Sequence, residues 1–244
     1  MLGILFCSCK GGCGKTTVAC STALKLSKNS KVALFDADVD SPNVMEIMGI
    51  KDEGRTQVNE QGKLLPVKYN DNLSIFSMST LVPAKKGISL NGQQIESYLR
   101  QCVVEVDWGV VDYFCVDMPA GSSTVFRVIK DMFQKNLLGI IIITQPSGPS
   151  ISDSYRLVNL CQKFALPVLG LVENMSGLEC DCCGEPLVCP RTGQEQFPFG
   201  RGDGKKIADE FSFRFFGFLP LSRSKFSHVA NDRVINNIVE AVYG

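Results

Sequence analysis

The stretch Cys9-Lys10-Gly11-Gly12-Cys13-Gly14-Lys15-Thr16-Thr17 constrains the fold more than any other part of the chain. It follows an apolar, strand-like run, Leu2–Ser8, and opens a segment of helical pattern from about Lys15 to Ser27. A strand, a glycine-rich turn and a helix in that order make a phosphate-binding loop. Glycines let backbone N–H groups converge on phosphate oxygens without a Cβ in the way. The helix N-terminus adds its partial positive charge. In such a loop Lys15 reaches the β- and γ-phosphates, and the Thr16 hydroxyl binds Mg²⁺. Gly11, Gly12, Cys13, Gly14, Lys15, Thr16 and Thr17 are therefore the candidate nucleotide-binding residues.

The rest of the chain alternates short β-rich runs with amphipathic stretches. Strands are predicted at Lys31–Phe35, Leu73–Met78, Val110–Val116, Leu137–Thr144, Val168–Glu173 and Arg214–Phe218. Helices are predicted at Asn91–Val106, Ser123–Gln134, Ser150–Phe164 and Asn231–Val242. This alternation implies one α/β domain over 1–244, three layers deep, with a mostly parallel central sheet. Two segments break the pattern. Lys51–Asn72 is polar and is expected to be a surface excursion, and 176–204 is expected to be an irregular, cysteine-containing functional insertion. No internal repeat stands out.

Two predicted strands end in aspartate, giving Asp36-Ala37-Asp38-Val39-Asp40 and Asp117-Met118-Pro119. In a parallel sheet the ligand lies beyond the carboxyl ends of the strands, so both aspartates should face the phosphate loop. Asp117 is expected to hold Mg²⁺ through water and Asp36 to orient the attacking water. Asp38 is expected to share either role, and Asp40 is a second candidate for the Mg²⁺ surroundings. Asn174, after another strand end, can offer its amide to an adenine edge.

Composition narrows the partners. Lys+Arg and Asp+Glu are both 25, a formal net charge of zero. That argues against binding nucleic acid through bulk positive charge, and against a polybasic membrane anchor. No apolar run is long enough to span a membrane and no signal peptide is seen, so a cytoplasmic location is expected. Of the 11 cysteines, Cys7, Cys20, Cys115 and Cys161 sit inside apolar runs, as buried reduced thiols do. Cys180, Cys182, Cys183 and Cys189 crowd together as metal ligands do, and Cys180 with Cys183 forms a Cys-x-x-Cys pair that two thiolates need to chelate one metal or cluster edge.

Lys10, ahead of the double glycine, resembles the signature lysine of the deviant-Walker ATPases, which reaches across a dimer to the partner's nucleotide. With Asp36–Asn43, Asp117-Met118-Pro119, Thr144-Gln145-Pro146, Asn174-Met175-Ser176 and the Cys180/Cys183 pair, the chain resembles the Mrp/ApbC family of iron–sulfur cluster carrier ATPases, within the MinD/ParA-like superfamily. The resemblance implies an ATPase working with Mg²⁺ as a homodimer. A [4Fe–4S] cluster would be bridged by Cys180 and Cys183 of each subunit, and passed to apo iron–sulfur proteins. It also implies catalytic roles for Lys10, Lys15, Asp36, Asp38 and Asp117. The sequence departs from the family at Pro119-Ala120-Gly121-Ser122-Ser123, where Pro-Pro-Gly-Thr-Gly-Asp is usual, in lacking the tryptophan–arginine–glycine segment expected near Ile88–Gly92, and in its extra thiols at Cys9, Cys13, Cys182 and Cys189.

Three other readings compete, one of them a nitrogenase-reductase-like electron donor, which needs a cluster cysteine just after Asp117, where none stands. Cys180, Cys183 and Cys189, with Cys182 available, suggest a structural zinc site within one chain. A MinD- or ParA-like positioning ATPase is the third. It needs a basic C-terminal amphipathic helix or surface basic clusters, and the stretch from Asn231 to Gly244 has Arg233 as its single cation.

Overall fold

The computed structural model describes residues 1–8, 10–51, 56–81, 91–121, 123–180, 182–221 and 232–244. Cys9 and Asn231, the expected first residue of the last helix, lie outside them. The strands are β1 (Leu2–Cys7), β2 (Val32–Asp36), β3 (Val67–Asn70), β4 (Leu73–Phe76), β5 (Tyr113–Asp117), β6 (Leu137–Thr144), β7 (Val168–Glu173) and β8 (Phe215–Phe218). They form one sheet in the order β3-β4-β2-β5-β1-β6-β7-β8, parallel throughout except for the antiparallel edge pair β3–β4. The helices are α1 (Lys15–Leu26), α2 (Val44–Ile47), α3 (Gly92–Glu105), α4 (Ser123–Phe133), α5 (Gly148–Lys163), α6 (Asp203–Glu210) and α7 (Arg233–Tyr243).

Helices cover both faces of the sheet, which is why the central strands are apolar without alternation. In β1, Leu5 and Cys7 face a core shared with α3, α4, α5 and α6. Ile4 and Phe6 face a second core shared with α1, α2 and α7. β6 divides likewise, Ile140 and Ile142 to one side and Ile141 and Ile143 to the other. The expected three-layer α/β/α architecture is thus the one observed. The apolar face of α7, including Ile235, Ile238 and Val239, is spent in the core.

Three differences from the predicted elements have local causes. β5 starts at Tyr113 rather than Val110, because Gly109 turns the chain at φ 66° and Val110 is 83% exposed. The polar excursion 51–72 holds an edge strand, β3, whose side chains are largely exposed and so carry no apolar signal. The irregular segment ends in a helix, α6, which begins beyond Gly202 at φ 96°. Its N-terminal N–H groups find a buried carboxylate, described below.

Candidate functional site

The phosphate loop leaves β1 at the centre of the sheet and enters α1 at Gly14, whose φ of 81° breaks the strand direction. A Cβ at Gly14 would land on Asn174 Nδ2, so this position tolerates only glycine. Beside the loop opens a cavity of about 870 Å³. Every described residue from Lys10 to Thr17 lines it, together with Asp38, Asp40 and Pro119. Lys10 is exposed at its rim. Cys13 is buried in the loop wall, its Sγ donating to Lys10 O at 3.4 Å.

At the floor, Lys15 Nζ meets Asp117 Oδ1 at 2.7 Å, both side chains nearly buried. Burial pulls the Lys15 pKa down, but Asp117, Asp38 and Asp36 outweigh it and hold the ammonium charged, above its ordinary value. Burial raises the Asp117 carboxyl, against the pull of Lys15 and of the Thr16 hydroxyl. Asp117 Oδ2 is buried without a hydrogen-bond partner. An unspent carboxylate oxygen beside the Thr16 hydroxyl is a donor set that suits Mg²⁺, so the residues present fit that ion.

The two expected strand-end aspartates are paired in register, Asp36 opposite Asp117, but they differ in access. Asp36 is fully buried and absent from the cavity wall. It accepts from Asp38 N at 3.2 Å, Val44 N at 3.2 Å and Ser77 Oγ at 3.0 Å. Burial, then the charge on Asp117, pushes its pKa up to about 8. Asp36, expected to orient the attacking water, is placed away from the cavity lining and bonds instead to the backbone that carries Asp38 and Val44. Asp38 is half-buried and faces the cavity, with its carboxyl raised by burial. Asp40 also lines the cavity, from an exposed position.

Asn174 is placed differently from the adenine-facing expectation. Its Nδ2 donates to Cys13 O at 2.8 Å, which ties the amide to the phosphate loop. Gln145 Nε2 makes a parallel contact to Gly12 O at 3.2 Å and another to Met175 Sδ at 2.7 Å.

The cysteine insertion has an order that the sequence reading missed. Cys180 N donates to Glu185 O and Gly184 N to Cys180 O. Nine positions later Cys189 N donates to Gln194 O and Gly193 N to Cys189 O. Leu187 N to Leu178 O is matched by Gln196 N to Leu187 O. Gly184 and Gly193 both have positive φ, 74° and 67°. The segment is a tandem pair of knuckles, Cys-Asp-Cys-Cys-Gly-Glu and Cys-Pro-Arg-Thr-Gly-Gln, with Thr192 where the first has Cys183. In each, backbone N–H groups point at the leading sulfur. Those of Cys182 and Cys183 lower the Cys180 pKa, while the Thr192 hydroxyl, then the N–H groups of Arg191 and Thr192, lower that of Cys189. Cys182 and Cys183 are exposed. Among the described residues no three His, Cys, Asp or Glu side chains converge to hold a metal. The single-chain zinc site expected from Cys180, Cys183 and Cys189 is therefore not assembled here: the second knuckle carries its thiol apart from the first.

Comparison with known proteins now decides the family. Residues 2–240 match the model described as "ParA: NUBPL iron-transfer P-loop NTPase". The chain belongs to the NUBPL iron-transfer P-loop NTPase family. Among relatives in that class, it is 31% identical over 221 residues to a cytosolic Fe-S cluster assembly factor NUBP2 homolog of Trichoplax adhaerens, covering 89% of this chain and 80% of that protein. It is 32% identical over 219 residues to an iron-sulfur cluster carrier protein of Deinococcus radiodurans, where it spans 89% of its own length but 58% of the relative's. In fold it is similar to a nucleotide-binding protein of Archaeoglobus fulgidus solved with ADP and cobalt. That match has a TM-score of 0.71 and 24% identity, and covers 100% of this chain and 88% of the other. The cell division ATPase MinD of Pyrococcus furiosus follows at TM-score 0.65 and 16% identity, covering 99% and 98%.

For a member of this family, the residue that sequence reasoning passed over is Glu173. It is fully buried at the end of β7. Oε1 accepts from Ser176 Oγ at 2.7 Å and Gly202 N at 2.9 Å, and Oε2 from Gly204 N at 2.6 Å. A buried acidic residue just before the Asn-Met-Ser run was the available signal, since buried carboxylates need several donors.

Proposed function

We propose that this chain is an ATP-hydrolysing carrier of an iron–sulfur cluster, working as a cytoplasmic homodimer and passing a [4Fe–4S] cluster to apo-proteins. The carrying observation is the first knuckle: two accessible thiols, Cys180 and Cys183, with converging N–H groups, rooted on the strand end that closes on the phosphate loop. Two thiolates leave a cluster half-coordinated, and a second copy supplies the other pair. Family membership and relatives named as carriers or assembly factors support the cargo. The word cytosolic in several of their names supports the location, as does the lack of any described helix long and apolar enough to cross a membrane.

In this reading the loop N–H groups and Lys15 hold the ATP phosphates, which compete with Asp117 for the Lys15 ammonium. Thr16 and Asp117 hold Mg²⁺, which when bound neutralises charge on the β- and γ-phosphates. Asp38 orients the water that attacks the γ-phosphorus, the bond to the β–γ bridging oxygen breaks, and ADP leaves. Lys10, on the cavity rim, supplies positive charge to the partner's nucleotide. Turnover is slow, set by conformational steps rather than chemistry.

The test is iron, acid-labile sulfide and zinc per chain on anaerobically purified protein, with oligomeric mass on the same sample. About four irons and four sulfides per dimer are expected, lost in Cys180→Ser. Zinc alone in a monomer would overturn the reading.

A further inference from the structure

The last residue of β7, Glu173, and the two that follow it, Asn174 and Met175, face two ways. Asn174 donates to the phosphate loop at Cys13 O, and its backbone N–H donates to Thr144 O at 2.8 Å. Met175 packs its sulfur on Gln145, which itself donates to Gly12 O. Glu173, one residue earlier, gathers both ends of the cysteine insertion, Ser176 where it begins and Gly202 and Gly204 where it closes. Between Asn174 and Ser176, Met175 sits at φ 60°, a left-handed conformation that is strained for a side chain of its size. Such strain persists only where surrounding contacts hold it, and here those contacts come from the loop and the insertion together.

We propose that Glu173 and Asn174 are positioning residues that transmit phosphate-loop occupancy to the cysteine insertion. The proposal rests on the nucleotide site and thiol segment assigned above. Its geometry is one peptide unit wide. Phosphate entering the loop draws the Gly12–Gly14 backbone N–H groups toward it, which moves the Cys13 and Gly12 carbonyls. Asn174 and Gln145 follow those carbonyls through their hydrogen bonds. A turn of the Asn174–Met175 backbone moves Ser176, and with it the Glu173 carboxylate that clamps Gly202 and Gly204. The insertion is otherwise almost wholly exposed from Cys182 to Arg201, so it is held by this clamp together with the backbone bonds of Ser176 and Gly177 to Leu219 and Leu221. A small displacement at the root therefore reorients both knuckles. By linkage the effect is reciprocal: a ligand held by the thiols biases nucleotide affinity by the same factor.

Backbone hydrogen–deuterium exchange of the full chain, with and without saturating Mg·ADP, tests this. Mg·ADP should protect 10–17 and change exchange across 176–202 by about five-fold or more. Glu173→Gln puts an N–H₂ against backbone donors, so it should keep the protection of 10–17 and lose the response of 176–202. Asn174→Ala at saturating Mg·ADP should lose that response too. If Glu173→Gln fails to fold, Ser176→Ala removes a single bond of the clamp and should weaken the response. A wild-type response confined to 10–17 would overturn the proposal, and so would variants that keep the full response in 176–202. Absence of protection at 10–17 would instead strike the nucleotide assignment, and the metal content of the wild type tests the cargo separately.

Discussion

At the level of single residues, the division of labour between Asp36 and Asp38 is the sharpest claim. Asp36 has no access to the cavity and satisfies three donors, so its loss is structural. Asp36→Ala leaves those donors buried without partners and should destabilise the fold by about 1–3 kcal/mol or more, read as a lower denaturant midpoint. Asp38→Ala should leave the denaturant midpoint and Mg·ADP affinity near wild type and slow single-turnover hydrolysis on the order of 100-fold. The reverse pattern, stable Asp36→Ala without hydrolysis and active Asp38→Ala, would restore the sequence-based assignment. Lys15→Ala should abolish nucleotide binding or hydrolysis yet leave the thiols able to take up metal, and normal ATPase in that variant would sink the loop assignment. The loop residues were legible from spacing alone, because the chemistry of phosphate fixes both glycine and lysine positions. Which of Asp36 and Asp38 lines the cavity was not legible, because spacing gives the strand end but not which way a side chain turns.

Among the elements, the strands buried on both faces were legible and the edge was not. β6 is a continuous apolar run that nothing but a central strand explains, whereas Val67-Lys68-Tyr69-Asn70 earns its place in the sheet through backbone pairing with β4. α6 was hidden by Gly202 and Gly204, which normally signal a loop. The buried Glu173 carboxylate supplies the acceptors that its first turn requires. The tandem knuckles were written in the sequence as Cys-Asp-Cys-Cys-Gly-Glu-Pro-Leu-Val followed by Cys-Pro-Arg-Thr-Gly-Gln-Glu-Gln-Phe. Their likeness is one of backbone geometry more than of identity, since cysteine and glycine are the residues they share. Only the first knuckle pairs two thiols, so Cys180→Ser and Cys183→Ser should each remove the bound iron while the monomer stays folded. Cys189→Ser should retain it. Iron and sulfide assays across the three variants check this, and full retention in a Cys180→Ser/Cys183→Ser double variant would refute the bridging cluster.

For the molecule as a whole, the placement of two carboxylates and one ammonium under the sheet edge sets how stability answers to pH. Asp36 keeps its proton up to about pH 8 in the folded state, because burial and the neighbouring Asp117 charge oppose ionisation. In the unfolded chain the same group releases its proton near the ordinary carboxylate value, roughly pH 4. Between those two values the native state binds a proton that the unfolded state has lost, so raising the pH favours unfolding. The contribution is fully present below the unfolded pKa and is lost as pH climbs through about 8. This runs opposite to a carboxylate whose pKa is depressed by an ion pair. Asp36→Asn sets an N–H₂ against one of its donors and so lowers stability at every pH, but it cannot ionise and should flatten the decline in melting temperature between about pH 6 and pH 8.5. Its difference from wild type should be smaller at the alkaline end than at the acid end. Calorimetric melting of nucleotide-free protein across that range measures both slopes. If the two were the same, Asp36 would have to be ionised in the fold at neutral pH, and the Asp36–Asp117 pair would carry two charges with Lys15 as their shared counter-ion.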